Sequence, residues 1–350
     1  MTEAEIRASF EEQAGWCERL GSPLTAALCR ALGRDLDRNT ETGRRVLDWP
    51  GDPRPGADVV ALRLCGGLHA LVRKGAAPDL ADCYPPKSLP LPATLKDVVR
   101  THDEALLPWL DIAPQTNEVG RSAVLMSGLL ALAEQVQKPM DLLELGASAG
   151  LNLILDRYAY VLGGEQRGDS SSALTLRPDW QGPPPPDARV EVAARRGVDL
   201  QPMDARRDGE RLLAYVWPDQ PQRLAQLETA LAIAAADPPQ IDAGDAADWL
   251  EQRLDEPRLP GTVRVVLHSV AFQYFPSAVQ ARIEAAMAEA GAAADEAEPL
   301  AWLRYEKIEG EENFSLRLKI WPDGSDRLLA TAHPHGRSIH WVSTVSPLTS

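Results

Sequence analysis

The residues best placed to do chemistry lie in Met140–Gly150, MDLLELGASAG: a carboxylate, Glu144, then Leu145 and the small residues Gly146, Ala147, Ser148, Ala149 and Gly150. An apolar run that ends in small residues reads as a short buried strand and a tight turn. Leu151, Ile154, Leu155, Tyr158 and Leu162 then continue at helical spacing. Strand, turn and helix would gather several free backbone N–H groups and the positive end of a helix at one point. Such a point suits an anionic or polar ligand.

A second group precedes it. PQTNEVGRS (114–122) holds Gln115, Thr116, Asn117, Glu118 and Arg121 just before an apolar helix at 124–136. Thr116 or Asn117 can cap that helix, with Glu118 in its first turn where the dipole favours a carboxylate. The same side chains could also face a ligand. Further on, Asp179, Asp245 and His268-Ser269 fall at the ends of candidate strands. His333, His335 and His340 raise the question of a metal, but loop histidines beside Pro334 and Gly336 read as hydrogen-bonding groups, so no metal is expected.

Positioning these groups requires a sheet. Helical periodicity marks 2–20, 23–37 (with Ser22 as N-cap and Pro23 as first helical residue), 59–73 and 93–110, which makes the front third mainly helical. After the central strand come candidate strands at 173–176, 262–269, 299–306, 314–321, 327–332 and 338–342, a strand–turn–helix at 239–254 with Asp245 at the turn, and helices at 221–236 and 277–290. Segment 180–236 carries mixed signals. WPDQ (217–220) reads as a turn. The pattern predicts an α/β fold, a mostly parallel doubly wound sheet with a C-terminal antiparallel hairpin, preceded by a helical domain. The predicted domains are 1–113 and 114–350, the second with an insertion at about 180–236. In such sheets ligands lie at the carboxyl ends of the strands.

Composition narrows the function classes. At 350 residues the chain can bury a large core. The net charge of −15 and pI near 4.9 oppose counterion-driven binding to nucleic acid or anionic membranes. The acidic start lacks the layout of a secretory signal, and no apolar run reaches the ~20 residues that span a bilayer. The expectation is a cytoplasmic protein acting on a small-molecule or protein substrate, with no nucleic-acid or membrane partner. Cys17, Cys29, Cys65 and Cys83 form no CxxC pair and read as reduced thiols.

The arrangement resembles the class I S-adenosylmethionine-dependent methyltransferases, whose first strand ends E/D-x-G-x-G-x-G. Here the match is Glu144-x-Gly146-x-Ser148-x-Gly150, with serine in place of the middle glycine. The resemblance covers roughly 117–342 and implies S-adenosylmethionine as cofactor. It implies that Glu144 receives the cofactor's ammonium, that Gly146, Ala147, Ser148, Gly150 and Asn152 line its methionine part, that Asp179 meets the ribose, and that Asp245 lies by the adenine. His268 or Glu118 would orient or deprotonate the acceptor, Gln115, Asn117 and Arg121 would face it, and the helical domain would close over the site. The whole chain is also similar to a domain-of-unknown-function family marked by PQTNE-x-GRS, LELGASAGLNL, WPDQ and HS.

Two rival readings use the same residues. Gly146-x-Ser148-x-Gly150 satisfies G-x-S-x-G, the nucleophile elbow of α/β-hydrolases, with Ser148 as nucleophile and His268, His333 or His335 completing a triad. Helical rather than strand signals before Met140 weigh against it. The other rival is a non-catalytic binding protein in which GASAG only packs tightly against its neighbours.

Overall fold

A computed structural model describes residues 1–91, 95–308, 310 and 313–342. The chain divides into two compact units, Met1–Thr116 with Asp208–Ala225, and Asn117–Arg207 with Gln226–Ser350.

The first unit is helical. Helices Glu3–Arg19, Pro23–Asp35, Glu41–Leu47 and Val60–Arg73 bury Ile6, Phe10, Leu28, Leu32, Leu64 and Leu68 in one apolar core. Thr2 and Glu5 close the first helix with a capping box. The helix expected at 93–110 is broken into Lys96–Thr101, Asp103–Leu106 and a 3₁₀ turn at Leu107–Leu110, and its expected first two residues lie outside the described ones. Segment 208–225, read in the sequence as part of the later domain, belongs here. Its helix Gly209–Tyr215 packs on Gly66, where a Cβ would stand 2.6 Å from Tyr215 Cε1. The WPDQ turn supplies the missing cap of Pro23–Asp35. Ser22 makes no side-chain cap bond, whereas Asp219 Oδ2 accepts from Leu24 N at 2.8 Å and Asp219 Oδ1 from Ser22 Oγ at 2.5 Å.

In the second unit the strands are, in chain order, β1 (Met140–Leu145), β2 (Ala159–Leu162), β3 (Glu165–Gly168), β4 (Thr175–Leu176), β5 (Asp179–Gln181), β6 (Val192–Asp199), β7 (Ile241–Ala243), β8 (Val263–Ser269), β9 (Leu300–Lys307), β10 (Phe314–Trp321), β11 (Asp326–Ala332) and β12 (Ser338–Trp341). Nine of them form one sheet in the order β5-β12-β11-β10-β9-β8-β1-β6-β7. The stretch β7-β6-β1-β8-β9 is parallel throughout, β9 to β12 run antiparallel, and β5 adds in parallel to β12. The fold is therefore α/β with a large, mostly parallel sheet. The expected C-terminal hairpin is a four-stranded antiparallel run.

Helices cover both faces. Because side chains alternate along a strand, Leu143, Leu145, Val266 and Trp302 share one face, packed with Trp249, Leu250, Ile283 and Met287 from helices Ala246–Asp255 and Ser277–Ala292. Glu144 pairs in register with Leu267, and Leu267 with Leu303, on the other face. Helix Arg121–Val136 lies there, close enough that a Cβ on Gly128 would meet Leu303 Cδ1 at 2.5 Å.

One expectation fails at the central motif. No helix follows Gly150: residues 151–154 are turns, Leu155–Arg157 is a 3₁₀ turn, and 159–162 is β2. Leu151, Leu153, Ile154 and Leu155 are all fully buried, which leaves no polar face for a surface helix. Gly163 and Gly164, at φ +61° and +85°, form the two-residue turn that folds β3 back on β2. The small sheet β3-β2-β4 that results was not foreseen.

Candidate functional site

Two facts locate the site. From β1 the chain runs outward to β6 and β7 on one side and returns to β8 and β9 on the other, so the topological switch lies between β1 and β8, the place where open parallel sheets bind ligands. There too are two non-glycine residues with left-handed backbone, Ser148 at φ +52° after β1 and Val270 at φ +53° after β8. Such strain, strongest for a β-branched valine, gathers at functional sites.

Glu144 sits at this switch, buried, with no hydrogen-bond partner for its Oε2 among the described residues. Burial, reinforced by the negative charge of Asp199 and opposed by Arg121, holds its carboxyl well above the usual range. Asp199, at the end of β6, accepts from Ser148 N at 2.9 Å and Gln201 N at 2.9 Å and is only half-buried. The sequence reading missed it. Its signal was present: it closes the run RVEVAARRGVD beside the central strand.

Most amides of the glycine loop are not free, contrary to expectation. Gly146 N and Ala147 N donate to Val198 O at 2.9 and 3.0 Å, Ser148 N to Asp199, Gly150 N to Ala147 O at 2.7 Å, and Leu151 N to Asn117 Oδ1 at 2.8 Å. A Cβ on Gly146 would meet Ala271 Cβ at 2.6 Å, and one on Gly150 would meet Pro239 Cγ at 2.6 Å and Ile241 Cδ1 at 2.8 Å. The glycines therefore seat neighbouring protein atoms. Ser148 Oγ is buried without a hydrogen bond.

Neither Thr116 nor Asn117 caps the next helix, which starts at Arg121 with Gly120 at its N-cap and no side-chain cap. Asn117 instead holds Leu151, and Glu118 lies before the helix, accepting from Gly120 N at 3.2 Å. Arg121 Nε donates to Pro334 O at 3.0 Å and Nη1 to Ser269 O at 3.2 Å, tying a C-terminal loop to the end of β8. Asn152 Oδ1 accepts from Ser122 Oγ at 2.8 Å. Asn117, Glu118, Arg121, Glu144, Ser148 and Asn152 thus gather near the carboxyl end of β1.

Of the other predicted residues, Gln115 belongs to the first unit, and three lie apart from this group. Asp179 opens β5 at the far edge of the sheet, paired with Ser338, because the short strand before it joins the small sheet. Asp245 follows β7 and caps helix Ala246–Asp255, accepting from Ala247 N at 2.9 Å and Asp248 N at 3.1 Å. His268, one residue past Leu267, projects to the opposite face from Glu144 and meets Glu306, also missed, at the end of β9: His268 Nδ1 and Glu306 Oε1 are 2.6 Å apart.

Comparison with known families matches residues 7–341 to a family described as "Uncharacterized protein conserved in bacteria (DUF2332)". The chain belongs to this family. Among curated proteins and among solved structures nothing matches it. Among the described residues, no group of three or more His, Cys, Asp or Glu is placed to hold a metal, and no helix is long and apolar enough to cross a membrane.

Proposed function

We propose that this member of the family binds S-adenosylmethionine at the carboxyl ends of β1 and β6 and transfers its methyl group to a small-molecule or protein acceptor. The observation that carries the reading is Glu144: a buried carboxylate oxygen without a partner, at the switch point of five parallel strands whose order, 3-2-1-4-5 by chain sequence, is that of nucleotide-binding sheets. A buried acceptor of this kind calls for a cationic donor, and the ammonium of an amino-acid-bearing nucleoside is one. Asp199, at the end of the neighbouring strand and partly open, takes over from Asp179 as the acceptor for ribose hydroxyls.

The group, when bound, supplies an electrophilic methyl. The chain's own part is to bind and orient. Glu144 gives up its proton as the ammonium arrives, since burial keeps it protonated otherwise. With most of the loop amides already bonded, recognition falls mainly to these two carboxylates. The hydrolase reading gains nothing here: no helix follows Ser148, and among the described residues no histidine bonds its Oγ.

Isothermal titration of S-adenosylmethionine into the full chain tests the proposal. Saturable heat that is abolished in Glu144→Gln supports it, and an absence of heat with the wild-type chain refutes it.

A further inference from the structure

We infer that the carboxyl ends of β8 and β9 hold a second site, on the sheet face opposite Glu144, which takes the ammonium of a small amine. Its role as the methyl acceptor rests on the reading above.

The site is built from a carboxylate that is already organised. Glu306 Oε1 accepts from Ala271 N and Phe272 N, each at 3.1 Å, and lies 2.6 Å from His268 Nδ1. An oxygen that accepts two backbone N–H groups acts as acceptor toward the ring as well, so Nδ1 carries the hydrogen, and Nε2 keeps its lone pair whenever the ring is neutral. His268 Nε2 and Glu306 Oε2 are both buried without a partner, and so is Trp302 Nε1. Phe272 stacks on the imidazole at 5.0 Å and 20°, Trp302 stands 6.0 Å from it, and Phe275 flanks Phe272 at 5.9 Å.

Two acceptors and one donor among aromatic rings define the ligand. Among the described residues no Lys or Arg forms an ion pair with Glu306. Arg304, on the same face, is bound to Asp326 at 2.5 Å and lies over Trp302 at 4.7 Å. The carboxylate thus has no Lys or Arg bonded to it, only Arg121 acting at a distance, and ring faces attract cations. An alcohol would satisfy the acceptors but bring no positive charge to the carboxylate. An ammonium does both. Proton transfer from it to His268 Nε2 breaks one N–H bond and forms another; the electron pair stays on the substrate nitrogen, and the imidazolium is held by Glu306. His268 is then the base and Glu306 the residue that positions it.

Benzylamine and benzyl alcohol, matched in shape, test the claim when titrated into the full chain while the histidine ring C–H signals are followed by NMR. The expected result is a saturable shift of the His268 signal with benzylamine, none with benzyl alcohol, and roughly tenfold weaker benzylamine binding in Glu306→Gln. Phe272→Leu, which keeps the apolar volume and removes the stacked ring, weakens it too. Equal responses to the two probes, or undiminished binding in both variants, overturns the site. A benzylamine shift without heat from S-adenosylmethionine removes only the acceptor role; heat without the shift removes only the amine site.

Discussion

Strand β1 carries two buried carboxylates, and the fold treats them oppositely. Asp141, near its start, faces Arg264 of β8 at 3.1 Å, and that guanidinium also donates to Arg253 O at 2.6 Å. Glu144, near its end, has an oxygen with no hydrogen-bond partner among the described residues. A buried charge is tolerated when paired and hydrogen-bonded, and otherwise neutralises by holding its proton. The amino end of the strand thus shows a charge whose partner is built in. The carboxyl end shows one whose partner is left to come from outside. The difference separates a carboxylate with a built-in partner from the one proposed above to bind the cofactor.

The sharpest way to break this comparison is Asp141→Ala, which strands Arg264 in the interior. Denaturant unfolding should show a loss of about 3–5 kcal/mol, with affinity for S-adenosylmethionine held within about twofold. A loss under about 1 kcal/mol would erase the distinction. Next in size, Glu144→Gln should weaken S-adenosylmethionine roughly 100-fold. Binding to the wild type should also release a proton, seen as a heat that changes with the ionisation enthalpy of the buffer.

The same variant inverts the stability effect. Glu144 has a folded-state pKa raised above its unfolded value, so above the ordinary carboxylate range the unfolded chain ionises while the folded chain keeps its proton, and folding weakens as pH rises. Glu144→Gln lacks this penalty. Calorimetry should find it near wild-type stability at pH 4 and about 1–3 kcal/mol more stable at pH 8. The smallest effect is expected at Ser148, where φ is +52°. Ser148→Gly should stabilise the fold by about 0.5–1 kcal/mol, measured by the same unfolding curves, and leave S-adenosylmethionine binding in place.

Much of this was legible in order of chain but not in space. TVRVVLHS announces β8 by its β-branched run, and the four strands after 299 follow from alternation and turn residues. The glycine pair at 163–164 was a readable hairpin signal that the helical spacing of Leu151 to Leu162 outweighed. The site was half readable: Glu144 stood out because a carboxylate in an apolar run needs a reason, whereas Asp199 and Glu306 look like ordinary surface charges until strand pairing brings them to the switch point.

The amino-acid sequence by itself determined the α/β class, β1, β4 and β7 to β12, and the carboxylate beside the glycine loop, because periodicity and local turn chemistry act over a few residues. Tertiary structure alone decided that the loop's amides turn inward, that no helix follows them, and that Glu144 and His268 lie on opposite faces. Those outcomes depend on which strand sits beside which and on the register between them, and pairing across more than a hundred residues leaves no mark in any short window.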